Sequence, residues 1–266
     1  ILDSEGKIRD LSAYAHDIGG ELLAPKNLAK LRKINVDKLP KVRGNPRIGA
    51  CVANPQKFIA IGLNYSDHAA ESGLKVPDEP VVFTKQVSCL SGPNDDVTIP
   101  PKSKKSDWEV ELGVIIGTRA KNIKKADALK HVAGYCTIND LSEREFQAER
   151  SGQWTKGKSY DTFGPIGPWL VTADEVKDPQ KLSMWLELNG KRVQNGSTST
   201  MVFGVAHIVA YLSQFFTLMP GDVITTGTPP GVGMGMKPQR FLKPGDKMRI
   251  CVEGLGEQNQ IVVRDK

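Results

Sequence analysis

The chain is poor in the residues that would make it a stapled, zinc-knotted or membrane-spanning protein. Its 266 residues hold only four cysteines, Cys51, Cys89, Cys136 and Cys251, far apart and without a C-x-x-C pair. That spacing excludes a zinc knuckle and a dense disulfide framework. Cys136 and Cys251 fall in strand-like runs and read as small buried residues. No apolar run approaches the ~18 residues of a spanning helix, and no signal peptide is visible, so a cytoplasmic location is expected. Aromatic residues make up 6% of the chain, and none interleaves the basic clusters Lys102/Lys104/Lys105 and Lys121/Lys124/Lys125. Those clusters read as solvated loops, so neither a nucleic-acid nor a membrane partner is expected. The net charge of +6 suits a small anionic substrate.

What is present is mostly short strands. Phe58 to Leu63, Pro80 to Lys85, Val132 to Asp140 and Val223 to Thr226 are apolar or β-branched runs bounded by turn residues. The alternating runs around Asn189-Gly190 form a hairpin signal, and Ile1–Asp3 with Lys7–Leu11 flank a second turn. Two helices stand out. Val205 to Phe216 repeats its apolar residues with helical period. Leu141 to Arg150 carries Ser142 and Glu145 at capping-box spacing, with Arg144 and Gln147 on one face. Asn27 to Lys33 has the composition of a further short helix. Many strands and few helices predict a mainly β, α+β chain built on a rolled sheet or distorted barrel. A Pro/Gly-punctuated connector before residue 50 predicts a small N-terminal domain, 1–52, ahead of a main domain, 53–266.

Four groups of residues carry possible chemistry. Glu109 and Glu111 point the same way from one strand, because strand side chains alternate. They are either the solvated face of an antiparallel strand or, with Asp140 at the end of another strand, a hard oxygen site for a divalent cation. No histidine or cysteine is spaced to join them, which argues against zinc. Asp140 alone also suits a helix N-cap. His68 and Glu71 meet on one face of a helical turn, as a surface pair or as a base with the carboxylate that orients it. Gly152 to Ser159 spells a phosphate-loop pattern, but no hydrophobic strand precedes it and no helix pattern follows. Lys158 is better read as facing an anionic substrate or oxyanion. Thr225 to Gly233 is a glycine-rich segment after a strand, either a structural turn or a loop whose backbone approaches a ligand.

Taken in order, IGLNYSDHAAE, the Glu-x-Glu strand, INDLSEREFQ, KGKSYDTFGPIGPW and PGDVITTGTPPGVG resemble the fumarylacetoacetate hydrolase superfamily from about residue 55 onward. The resemblance implies a mixed β-roll, a divalent cation (Mg²⁺ or Mn²⁺), a homodimer and a small anionic 2-oxo acid substrate. It implies Glu109, Glu111 and Asp140 as metal ligands. It implies His68 and Glu71 as a water-activating dyad on a mobile lid, and Lys158 as the catalytic lysine. Arg144, Gln147 and Thr228 become substrate or oxyanion contacts. The N-terminal 50 residues, with SDWEVELG and QWTKGKS, look closest to hydrolases of 2,4-diketo-3-deoxy sugar acids such as the L-rhamnonate and L-fuconate derivatives, a branch often labelled ureidoglycolate lyase. The implied reaction is C–C hydrolysis of a 2,4-diketo acid to pyruvate and a second hydroxy acid. Acylpyruvate hydrolysis, oxaloacetate decarboxylation and ureidoglycolate lysis are alternatives on the same metal site.

Overall fold

A computed structural model describes residues 1–67 and 76–265 of the chain. Its centre is a mixed six-stranded sheet in the order Val171–Thr172 (β10), Val132–Asn139 (β7), Val110–Ile116 (β6), Val223–Thr225 (β13), Phe58–Gly62 (β1) and Val81–Lys85 (β2). All pairs are antiparallel except β1 with β13. A five-stranded sheet runs Lys191–Ser197 (β12), Ser183–Leu188 (β11), Lys247–Val252 (β14), Glu257–Arg264 (β15) and Val97–Ile99 (β4). Two short pairs complete the set: Leu90–Ser91 (β3) with Gly164–Pro165 (β9), and Ser106–Asp107 (β5) with Ser142–Glu143 (β8). Both large sheets keep free edges, so the expected rolled sheet stays open and does not close into a barrel.

Strands β11 and β14 lie against β6, and β14 also against β7. One hydrophobic core runs through both sheets, and Leu23 and Val52 belong to it. All seven residues of β6 and all eight of β7 are buried. A strand covered on both sides needs apolar or fully paired side chains on both faces, and the pairing of its polar members is what builds the site.

The predicted helix at Val205 to Phe216 is present as Val205–Phe215, and the Asn189-Gly190 signal joins β11 to β12. The predicted helix at Leu141 to Arg150 differs. Ser142 and Glu143 pair as a strand with Asp107 and Ser106, and only Glu145–Glu149 is helical, as one π-type turn with no side-chain cap. The local capping signal is overridden by tertiary pairing, because Glu143 is buried and accepts hydrogen bonds from the hydroxyls of Ser103 and Ser106. The N-terminal hairpin is reduced to a single bridge, Leu2 with Ile8, and the short helix there spans Pro25–Leu31.

Candidate metal and active site

The pairing of β6 with β7 sets Val110 opposite Asn139, so Glu109 and Asp140 emerge side by side at the same end of the sheet. The Asp140 backbone N–H donates to the Glu109 carbonyl at 2.9 Å. Glu111 follows two residues on, on the same face. One carboxylate oxygen from each of Glu109, Glu111 and Asp140 lies within 4.8 Å of the other two, and all three residues are buried. Glu109 is 6% and Glu111 1% exposed, which rules out the solvated-face reading of the Glu-x-Glu strand.

Each carboxylate is held by a different part of the chain. Glu111 accepts from the Thr225 hydroxyl at 2.5 Å and from the Gly227 N–H at 2.7 Å. Glu109 meets the Arg144 Nη1 at 2.8 Å and the Lys158 Nζ at 2.6 Å. Asp140 lies between two lysines, with Lys158 Nζ 2.8 Å from Oδ2 and Lys85 Nζ 2.6 Å from Oδ1. Burial pushes the Glu111 carboxyl well above the usual carboxylate range, reinforced by the charges of Asp140 and Glu109. Burial alone would depress the Lys158 ammonium, but Asp140 and Glu109 outweigh it and hold its pKa above that of an ordinary lysine. Lys158 is therefore a charged hydrogen-bond donor in this arrangement and not a free base.

The donor set fits a hard divalent cation. Among the described residues it consists of carboxylate oxygens without histidine or cysteine, within coordination reach of one another, which suits Mg²⁺ or Mn²⁺ over zinc. Burial first, and the charges of Asp140 and Glu109 second, disfavour the Glu111 carboxylate, and a bound cation would favour it.

Glu109, Glu111, Asp140, Arg144, Gln147, Lys158 and Thr228 line one cavity of about 170 Å³. Arg144 is anchored by Asp107, with Nε 2.9 Å from Oδ2, and its Nη1 donates to Gln147 Oε1 at 3.0 Å. Its buried Nη2 lies 2.8 Å from Asp107 Oδ2 but makes no well-directed hydrogen bond. The Thr228 hydroxyl donates to the Val110 carbonyl and accepts from Gln194 Nε2, at 2.9 and 2.8 Å. Its only O–H is thus committed to the fold. Lys158 ends the helical turn Thr155–Lys158. A Cβ on Gly157 would overlap the Gln147 backbone nitrogen and lie 2.5 Å from the Glu143 carbonyl oxygen, so glycine lets this turn press against the Glu145–Glu149 turn and deliver the lysine. In the Gly-Lys-Ser stretch the lysine is thus directed to Glu109 and Asp140. His68 and Glu71 lie outside the described residues.

Two buried groups escaped the sequence reading. Lys85 ends β2 with its side chain fully buried, donating to Asp140 and to the backbone carbonyls of Leu141 and Lys158. Asp107 accepts from Arg144 and from the N–H groups of Gly233 and Met234 at 2.6 and 3.0 Å. The available signal for Lys85 was a charged residue on the apolar face of a strand, two residues after Phe83. Among the described residues no helix is long and apolar enough to cross a membrane.

Residues 57–263 match the family model described as fumarylacetoacetate (FAA) hydrolase C-terminal. A Burkholderia orbicola protein carrying the provisional name hydrolase is 64% identical over 261 residues, covering 98% of this chain and 93% of its own. A fumarylacetoacetate hydrolase from Exiguobacterium antarcticum superposes with TM-score 0.85 at 35% identity, covering 99% of this chain and 94% of the other. A 5-carboxymethyl-2-hydroxymuconate delta-isomerase from Mycobacterium smegmatis superposes with TM-score 0.70 at 38% identity, covering 80% of each chain. The buried carboxylate trio at one sheet end, the mixed open sheet and the matched span agree, and the chain belongs to the fumarylacetoacetate hydrolase family.

Proposed function

We propose that the protein is a divalent-metal-dependent hydrolase that cleaves a C–C bond of a 2,4-diketo acid, releasing pyruvate and a second acid. The observation that carries this reading is the buried Glu109–Glu111–Asp140 trio with a charged lysine bridging two of its members, at the wall of a small cavity. Glu109, Glu111 and Asp140 would hold Mg²⁺ or Mn²⁺, which when bound supplies Lewis acidity at the 2-oxo acid end of the substrate.

The chain's own groups divide the remaining work. Lys158, already protonated, donates to the oxyanion that develops at the distal ketone. Arg144 fixes Gln147 through its Oε1, which leaves the Gln147 amide N–H groups for a substrate oxygen. His68, oriented by Glu71, takes the proton from the attacking water. A homodimer in solution is part of the same proposal, and light scattering checks it. The sugar-acid wording of the motifs makes a 2,4-diketo-3-deoxy sugar acid one candidate substrate.

The test is pyruvate release from acylpyruvates, 2,4-diketo-3-deoxy sugar acids and oxaloacetate, with Mg²⁺ and with EDTA. EDTA-sensitive release from a diketo acid is expected. Release from oxaloacetate alone would identify a decarboxylase, and no EDTA-sensitive release from any member would overturn the reading.

A further inference from the structure

The strand that carries the two glutamates outruns its neighbours. Pairing of β6 with β7 begins at Val110 with Asn139, and pairing of β6 with β13 reaches only as far as Gly113 with Thr225. The Glu109–Val110 stretch therefore needs other partners for its backbone groups, because a buried N–H or C=O left unpaired is costly. Toward β7, the Glu109 carbonyl accepts from the Asp140 N–H at 2.9 Å. A side chain takes the reciprocal place of a strand neighbour: the Glu109 N–H donates to Asn139 Oδ1 at 3.1 Å. On the other side Val110 is held in the same manner. Its N–H donates to Gln194 Oε1 and its carbonyl accepts from the Thr228 hydroxyl, both at 2.9 Å.

Both amides are tied to the second sheet. Gln194 belongs to β12, and its Nε2 donates to the Thr228 hydroxyl and the Pro229 carbonyl, each at 2.8 Å. Asn139 Nδ2 donates to Gln260 Oε1 of β15 at 2.8 Å, and Gln260 Nε2 donates in turn to Gln258 Oε1 at 2.7 Å. Gln258 Nε2 ends this chain on the carbonyls of Thr137 and Gly167, at 2.8 and 2.9 Å. Asn139, Gln194, Gln258 and Gln260 are all buried, and a buried polar network whose members are paired holds its groups rigidly.

Resting on the reading that Glu109, Glu111 and Asp140 hold a divalent cation, we infer that Asn139 and Gln194 are positioning residues for that cation. Their amides fix the Glu109–Val110 backbone and so set where the Glu109 carboxylate stands relative to those of Glu111 and Asp140. The hold works against a pull, because Arg144 and Lys158 both draw on the Glu109 carboxylate. A neutral amide suits the task. It accepts from the N–H without adding a fourth negative charge beside the trio. The five-stranded sheet supplies none of the three carboxylates, yet through Gln194 and Gln260 it governs how they converge.

The experiment is Mn²⁺ titration calorimetry of the full chain, with tryptophan fluorescence in urea to establish that each variant is folded. Asn139→Leu and Gln194→Met are expected to weaken Mn²⁺ binding by about 10- to 100-fold while the protein remains folded. Gln260→Leu leaves the Asn139 amide without its acceptor and touches none of the carboxylates. It is expected to weaken binding by a smaller factor, and to add nothing in the Asn139→Leu background, because the two side chains act as one unit. Gln194→Met and Gln260→Leu carry the test if Asn139→Leu does not fold. A merely structural role would lower the urea midpoint and leave the affinity of the folded protein unchanged. Variants that bind Mn²⁺ as tightly as wild type therefore overturn the inference and leave the metal reading standing. Wild type that binds no Mn²⁺ overturns both.

Discussion

Replacing Lys85 with methionine should destabilise the protein far more in EDTA than in excess Mg²⁺. The side chain is fully buried, and its ammonium lies 2.6 Å from Asp140 Oδ1 and contacts the carbonyls of Leu141 and Lys158. Methionine keeps most of the volume against the Phe58 ring, 5.8 Å from the ammonium, so the loss is electrostatic and not a cavity. Removing one partner of a buried ion pair costs about 3–5 kcal/mol, and the lower end of that range is expected here because Asp140 keeps Lys158, 2.8 Å from its Oδ2. With a urea m-value on the order of 3 kcal/mol/M for a chain of this size, the midpoint should fall by about 1 M. A divalent cation on Asp140 restores counter-charge at that carboxylate and binds only the folded state, so Mg²⁺ should recover part of the loss. The assay is urea unfolding of Lys85→Met and wild type by tryptophan fluorescence, with EDTA and with Mg²⁺. A midpoint within ~0.3 M of wild type in EDTA, below ~1 kcal/mol at that slope, would refute the claim that Lys85 holds Asp140 in place.

Glu109→Ala removes a carboxylate that also receives Lys158 and Arg144, and Mn²⁺ titration calorimetry should show no binding, with no pyruvate release. His68→Ala should retain Mn²⁺ affinity while kcat falls by roughly 10² or more; normal turnover would remove the dyad from the mechanism. Burial pushes the Cys89 thiol up to about 11 and raises Cys136 as well. Both should therefore resist iodoacetamide at pH 8 in the folded protein and react only in urea, and peptide mapping that finds either alkylated in the native state would contradict that burial.

Several features of the fold follow from neighbours in sequence. The helix Val205–Phe215 and the hairpin across Asn189-Gly190 appear where the periodicity and the turn residues predict them, because both signals act within a few residues. The Leu141 to Arg150 segment shows the limit of such reasoning. Its capping-box spacing was real, yet Ser142 and Glu143 pair with a strand formed about 35 residues earlier in the chain, and the buried Glu143 is satisfied there. Lys85 and Asp107 escaped notice for a related reason. Their partners, Asp140 and Arg144, lie 55 and 37 residues away, and no local pattern marks a long-range ion pair.

The sequence by itself determined the chemical type of the site: carboxylates alternating on one strand, an aspartate ending another, a lysine in a glycine-flanked turn, and a motif order that resembles one family. Those properties depend on residue identity and strand period, which are local. Only the tertiary structure decided that both faces of β6 are covered, that Glu109, Glu111 and Asp140 converge within 4.8 Å, and that Lys158 and Lys85 grip Asp140 from opposite oxygens. It also decided that aromatic and aliphatic side chains, Phe83 and Trp154 among them, line the same cavity. Convergence depends on the β6–β7 register, and the cost of burying charge depends on what covers it. Both are set by segments far apart along the chain.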